Sequence, residues 1–304
     1  MSKSFREIAI ANSKKQPQMV DQLLNASPLL DTMPMQAASH GLWNLYEEQG
    51  LVTGASLVDF DDELGEVGSD TSLKQVDLSI LGGINYCGED KAKKYGGYSA
   101  YLASQLPAIL TQTGMDAEAS VIYNNIRQFA IDNSNWSSAL GAGSTNYSII
   151  CVNWQPGQIT GLYDQTGFGQ GAVMDIEPLN GGNIFTRVVG SKNIVSYGAR
   201  LKSYFGIQLA NANYVSAIAN IDKVNSKLPT EAQIDDMISN ARGIPGTTVM
   251  YMHPDVKTAL YTYKNSPLTI TNAEKAKDRR LDEWNGIPII TSYNFLKGTE
   301  ALVS

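Results

Sequence analysis

The sequence predicts an α+β fold, in which a long helical zone and a strand-rich region precede a small α/β layer. Three observations predict it. Residues 95–133 repeat large apolar side chains at helical spacing. Residues 146–221 are mostly strand-like, and residues 228–293 alternate helix and strand. At 304 residues the length prior is about two domains, with enough chain to bury a sizeable core without staples.

The elements follow in order. Residues 1–30 read as an arm with sparse anchors (Ile8, Ile10, Val20, Leu23, Leu24), which must dock on something to be ordered. Residues 31–50 carry Trp43 and Tyr46 and end at Gly50. Residues 51–82 read as a long two-stranded excursion. Leu57, Val58 and Phe60 enter an acidic, Gly-punctuated turn, and Val76, Leu78 and Ile80 then alternate with Gln75, Asp77 and Ser79. A lone hairpin is marginal in water, so this one is expected to lie on a partner surface.

In the helical zone Tyr98, Tyr101, Leu102, Leu106, Ile109 and Leu110 share a face, as do Ala119, Ile122, Tyr123, Ile126, Phe129 and Ala130. Pro107 and Gly114 are expected to kink or break it, leaving one long helix or two consecutive ones. Tyr147–Val152 is a buried-strand run, with shorter candidates at 172–176, 187–189 and 193–195. Leu201–Leu209 and Tyr214–Ile221 are expected to pair across an Asn-rich turn.

Thr230 and Gln233 form a capping-box pattern behind Pro229. Ile234, Met237, Ile238 and Ala241 fall on one helix face, and Gly243 is placed to end that helix. Residues 247–252 form a strand, Pro254 opens a second helix at its first position, and Ile287–Thr291 is another strand.

Composition narrows the function. Hydrophobic residues at 43% and charged residues at 17% mark a globular chain. A net charge of −7 argues against gripping nucleic acid by phosphate neutralisation, though not against enclosing it. Cys87 and Cys151 lie too far apart for a zinc-site spacing and read as reduced thiols of a reducing compartment. The N-terminus lacks the apolar core of a signal peptide, and no run reaches membrane-span length, so a soluble protein without a membrane partner is expected.

No catalytic, cofactor-binding or metal-binding residue is nominated. The two histidines, His40 and His253, fit no metal-ligand spacing, and His253 before Pro254 suits a helix cap or turn. Gly167–Gly171, Gly141–Thr145 and Asn180–Gly182 lack the full phosphate-loop patterns and read as flexible loops. Asp59, Asp61, Asp62, Glu63 and Glu66 do not follow EF-hand spacing and read as a solvated hairpin tip. Lys192 with Arg200 makes a basic spot. The run Lys275–Arg280 is interleaved with acids, as a mixed-charge surface or subunit contact would be.

One stretch carries more information than these. Thr248-Val-Met-Tyr-Met-His-Pro-Asp-Val-Lys-Thr-Ala-Leu260 is followed by Leu281-Asp-Glu-Trp-Asn-Gly-Ile-Pro-Ile-Ile-Thr-Ser-Tyr293, and Val215-Ser-Ala-Ile-Ala-Asn-Ile-Asp222 precedes both. In motif and in order of parts, over nearly the whole chain, this resembles the major capsid proteins of tailed bacteriophages with the Hong Kong 97-like (HK97-like) fold. The resemblance implies an N-terminal arm over 1–30 and an extended β-hairpin loop over 51–82. It implies a peripheral domain over 31–50 and 83–221, with a spine helix at about 95–133 and a β-sheet at about 146–221. An axial domain and C-terminal strand would take 222–304.

The function so implied is structural, without catalysis or cofactor. Copies would form hexamers and pentamers that close into an icosahedral shell around double-stranded DNA, held without sequence-specific binding. Implied partners are a portal, a scaffolding protein and a decoration protein. The short arm leaves no room for a fused helical scaffold, so the scaffolding protein is expected to be separate. Lys74 is the only lysine in 51–82 and reads as a solvated surface residue, so no covalent crosslink is expected. The location implied is the virion capsid, assembled in the host cytoplasm. Three competing readings are an encapsulin-like nanocompartment shell, a small-molecule enzyme on the α/β layer and a minor virion or tail protein. The scarcity of His and the lack of a convergent acid–base motif weigh against the enzyme.

Overall fold

The computed structural model describes residues 3–4, 24, 26–60, 62–143, 145–164, 175–264 and 282–303. Among them lie β1 (Lys3–Ser4), α1 (Pro28–Thr32), β2 (Pro34–Ala37), β3 (Trp43–Thr53), β4 (Gly68–Asp77), β5 (Ser79–Gly88) and α2 (Glu89–Lys94). Next come α3 (Tyr98–Ser120), a π-helical segment (Val121–Arg127), α4 (Gln128–Asp132), β6 (Trp136–Ser138), β7 (Tyr147–Asn153), β8 (Ile159–Tyr163) and β9 (Asp175–Pro178). The chain continues through β10 (Phe185–Val189), β11 (Lys192–Leu209), β12 (Val215–Ile221), α5 (Glu231–Asn240), β13 (Thr248–Met252) and α6 (Pro254–Lys264), and closes with β14 (Glu283–Trp284) and β15 (Ile287–Thr291). The architecture is α+β. The sequence readings at 165–174 and 265–281, which include the Gly167 loop and the Lys275 run, fall outside the described residues, as does most of the arm.

One sheet runs in the order β14-β15-β13-β7-β12-β6. β13 and β15 are parallel, with α6 in the connection between them, as a parallel pair requires. Both faces of this sheet are covered. Ile150 and Val152 of β7 pack with Ile122, Ile126 and Tyr251, while Ile149 and Cys151 pack with Ile234, Met237, Val256 and Leu260. That explains why β7 and β12 are buried along their whole length and show no polar alternation.

The second sheet is organised on β11, an 18-residue strand. β10, β5, β9 and β8 all pair with it, and β2 joins through β8. The expected pairing of Leu201–Leu209 with Tyr214–Ile221 is wrong. β11 stays in this sheet, and β12 pairs with β7 and β6 in the other. The turn between them carries the chain across. Asn211 accepts from the backbone of Asn213 at 3.0 Å, and the Asn135 amide donates to the Ala212 and Val215 carbonyls at 2.9 and 2.6 Å. β12 is buried at all seven positions, so it belongs in a sheet covered on both faces. The candidates at 187–189 and 193–195 are the two arms of one hairpin, β10 and the start of β11.

The helical zone runs unbroken through Pro107 and Gly114, where a kink or break was expected. An interior proline costs about 3 kcal/mol. The packing of Leu110, Ala117, Ile122 and Ile126 in the main core offsets that cost. The irregularity comes later, in the π segment, whose wider turn brings Val121, Ile122, Ile126 and Arg127 inward. α5 has the predicted capping box, but its end differs from the reading. Arg242, not Gly243, takes the left-handed backbone (φ 47°). The Gly243 amide then bonds the Ile238 carbonyl at 2.8 Å and the Arg242 amide the Ser239 carbonyl at 2.9 Å, a Schellman closure. Glycine is needed at 243 for space, because a Cβ there would sit 2.6 Å from Ile238 Cγ2.

Candidate functional site

The part of the molecule least explained by its own packing is the β3–β4 hairpin. Its strands pair from Trp43 opposite Asp77 to Thr53 opposite Gly68. The hairpin therefore begins earlier than residue 51, and β5 belongs to the β11 sheet. Its root is well held. Leu78 is buried beside Ala38 and Leu162, and Asn44, also buried, donates to Gln208 of β11 at 2.6 Å. Gly82 lets β5 lie close to β11, since a Cβ there would come within 2.2 Å of the Leu201 carbonyl oxygen.

Beyond this root the apolar residues are uncovered. Leu57 is 104% and Phe60 108% exposed, with Leu64 at 79% and Val67 at 58%. Leaving such side chains in water forgoes about 1.5–3 kcal/mol for each one that burial would cover. Asp59, Asp62, Glu63 and Glu66 stand among them, all exposed. Among the described residues no group of three His, Cys, Asp or Glu is arranged to hold a metal ion. Lys74, on β4, pairs with Glu48 across the hairpin, and that hydrogen bond raises the lysine pKa.

The body shows the opposite chemistry. Two carboxylates are buried and wrapped in donors. Glu118 of α3 accepts from the Leu29 amide at 2.9 Å, the Leu30 amide at 3.5 Å and the Ser292 hydroxyl, so it joins α1 and the end of β15 to the long helix. Glu300 accepts from the Ser148 amide at 3.1 Å, the Ser148 hydroxyl and Tyr123 Oη at 2.7 Å, with Arg127 Nε 3.5 Å away. Burial pushes both carboxyl pKa values up, and the hydrogen bonds pull them back only in part. Hydrophobic periodicity missed Glu118, Arg127 and Glu300 because it scores charged residues as outward-facing. Their donor-rich surroundings make them fasteners of the chain.

The remaining candidates are structural. His253 caps α6, accepting the Asp255 amide on Nδ1 at 3.0 Å, and burial lowers its pKa. His40 stacks on Trp43 with ring centroids 3.8 Å apart. Cys87 and Cys151 are buried free thiols, and burial pushes the Cys151 thiol up to about 12. Arg200 pairs with Glu177, whereas Lys192 is exposed near the β10–β11 turn. Asn180 and Gly181 form a left-handed turn.

A family model described as major capsid protein GP7 matches residues 119–304, more than half of the chain. No curated protein matches the sequence. Two solved structures share the fold. A chain of bacteriophage Epsilon15 is 14% identical with a TM-score of 0.60, the match covering 88% of each chain. The capsid of bacteriophage JBD30 is 10% identical with a TM-score of 0.53, covering 94% of this chain and 98% of that one.

Proposed function

Since the chain belongs to the GP7 major capsid protein family and has the HK97-like fold of tailed-bacteriophage capsids, we propose that its copies assemble as hexamers and pentamers into an icosahedral shell enclosing double-stranded DNA. The protein is structural, not enzymatic. The observation that carries the assembly reading is the contrast between a saturated body and a hairpin that leaves Leu57, Phe60, Leu64 and Val67 in water. An isolated chain gains nothing from that exposure, whereas a closed array covers it in every copy.

In this reading residues 1–30 are the N-terminal arm and the β3–β4 hairpin, expected from the sequence over 51–82, is the extended loop, together tying neighbours. The division expected from the sequence, 31–50 and 83–221 peripheral and 222–304 axial, shifts with the sheet that joins β6, β7 and β12 to β13 and β15: those strands go with the axial part, which meets its equivalents at capsomer axes. The acidic balance suits a wall that contains DNA pushed in by a motor through a portal and has no need to attract it. A separate scaffolding protein sets the curvature, a decoration protein is a further candidate partner, and assembly takes place in the host cytoplasm.

Electron microscopy of the purified protein, expressed alone and with the products of its genomic neighbours, tests this. Closed particles or ring-shaped capsomers are expected, with nuclease-protected DNA when the packaging proteins are present. A homogeneous monomer under both conditions overturns the proposal. Closed particles that hold a protein cargo and no DNA would replace the viral shell with a nanocompartment.

A further inference from the structure

We propose that His253 is an acid-operated switch at the start of α6: its neutral ring caps the helix, and protonation uncaps it by turning the same ring nitrogen from the Asp255 amide to the Asp255 carboxylate. The device lies within one chain and holds whether or not that chain joins a shell.

The hydrogen bonds of the first turn carry it. The first amides of a helix have no partner inside the helix. Pro254, the first residue of α6, has no amide hydrogen. The Val256 and Lys257 amides donate to the His253 carbonyl at 3.0 and 3.2 Å. The Asp255 amide is left, and it donates to Nδ1 of the His253 ring at 3.0 Å. A histidine nitrogen either accepts a hydrogen bond or carries a proton. The neutral ring therefore holds its proton on Nε2, and a second proton goes to Nδ1, where it points at the Asp255 N–H. Serine, threonine or asparagine at a cap keeps its acceptor when the pH falls, whereas histidine loses it.

The surroundings supply the second state. Asp255 Oδ2 lies 3.8 Å from Nδ1 and accepts from Tyr147 Oη of β7 at 3.3 Å. Rotation of the protonated ring toward that oxygen makes an ion pair at the expense of the cap and in competition with the tyrosine. The two states thus differ in which group of Asp255 the ring holds. Three influences resist the charged state. His253 is 3% exposed, Lys297 and Lys223 bring positive charge near the ring, and the start of a helix is its positive end. Asp255 favours it. The rings of Tyr147 and Tyr293 flank the imidazole, with centroids 5.5 and 5.9 Å away. A change at His253 is therefore felt by β7 through Tyr147, and by the segment after β15 through Tyr293 and Lys297.

Burial, the largest of these influences, holds the ring below its ordinary value of 6.5. As pH falls, the unfolded chain takes up this proton before the folded chain does. The contribution of the neutral ring is full above pH 6.5 and is lost as pH falls through the folded value. The raised carboxyls of Glu118 and Glu300 act with the opposite sign.

Hydrogen exchange of the full-length, unassembled chain tests the switch, read by mass spectrometry over residues 253–260 and corrected for the intrinsic rate. Protection there should fall about tenfold from about pH 7.5 to about pH 4.5, while that of α5 holds. His253→Asn keeps a cap acceptor that does not titrate and should retain its protection over the same range. Nitrogen NMR of the native imidazole, with the other histidine removed by His40→Gln, should show the neutral ring protonated on Nε2. The second proton should arrive at the pH where protection is lost. A neutral ring protonated on Nδ1, protection that does not change with pH, a fall shared by α5, or an equal fall in His253→Asn overturns the switch. The coincidence of ring titration with lost protection is read without altering His253, so it decides the matter even where His253→Asn fails to fold.

Discussion

The sheet containing β7 and the β3–β4 hairpin are both β structure, yet they follow opposite rules. β7 is buried at all seven positions and has helices on both faces. Nine of ten positions of β4 are exposed. In the first, every apolar side chain stabilises the chain that carries it. In the second, the apolar residues add little to that chain. Burial therefore separates residues that hold this chain's fold from apolar residues that its own packing leaves uncovered.

The largest expected effect breaks the first region. Ile150→Ala removes a fully buried side chain from the middle of β7 and should cost about 2–5 kcal/mol. Urea unfolding of the unassembled chain measures it, and a loss no larger than that of a surface substitution would contradict the account of the core.

Next comes Glu118→Ala. It leaves the Leu29 amide and the Ser292 hydroxyl without their acceptor, at about 1–3 kcal/mol for each buried group left unsatisfied. Retained stability together with retained protection of the Leu29 amide against hydrogen exchange would show that another acceptor takes over.

The same carboxyls give the body a pH dependence. Burial holds Glu118 and Glu300 above the ordinary value of 4.5. The folded chain therefore keeps protons that the unfolded chain has already released. This contribution is full below pH 4.5 and is lost as pH rises through the folded values. The stability difference between the native chain and the Glu118→Gln variant should shift against the native chain across that window. A difference that is flat with pH, or of the opposite sign, refutes the assignment.

The smallest effect on stability falls in the hairpin and sharpens the comparison most. Phe60→Ser should alter the unfolding free energy of the unassembled chain by no more than about 0.5 kcal/mol. It should nonetheless depress particle yield, read by sedimentation. Equal yield at unchanged stability would mean that the tip stays in water in the assembled state.

Much of the body was legible in the sequence. Helical spacing located α3, the capping box located the start of α5, and a Pro behind His253 located the start of α6, all through rules that act within a few residues. The misreadings share one physical cause. Leu201–Leu209 and Tyr214–Ile221 look like a hairpin locally, but the choice of partner strand depends on which sheet can cover both faces of β12. Pro107 weakens a helix locally, while the packing that rescues it comes from segments far along the chain. Glu118, Arg127 and Glu300 were unreadable because partners 21 to 177 residues distant decide their burial.

By itself, then, the sequence determined the type and order of the elements, the acidic and apolar character of the hairpin tip, and the capsid likeness carried by its last third. Those depend on periodicity, charge and short-range capping, which the chain states residue by residue. Only the tertiary structure decided which strands share a sheet and that two carboxylates fasten the long helix. Each of those depends on burial from both sides at once, a condition met only when distant segments come together.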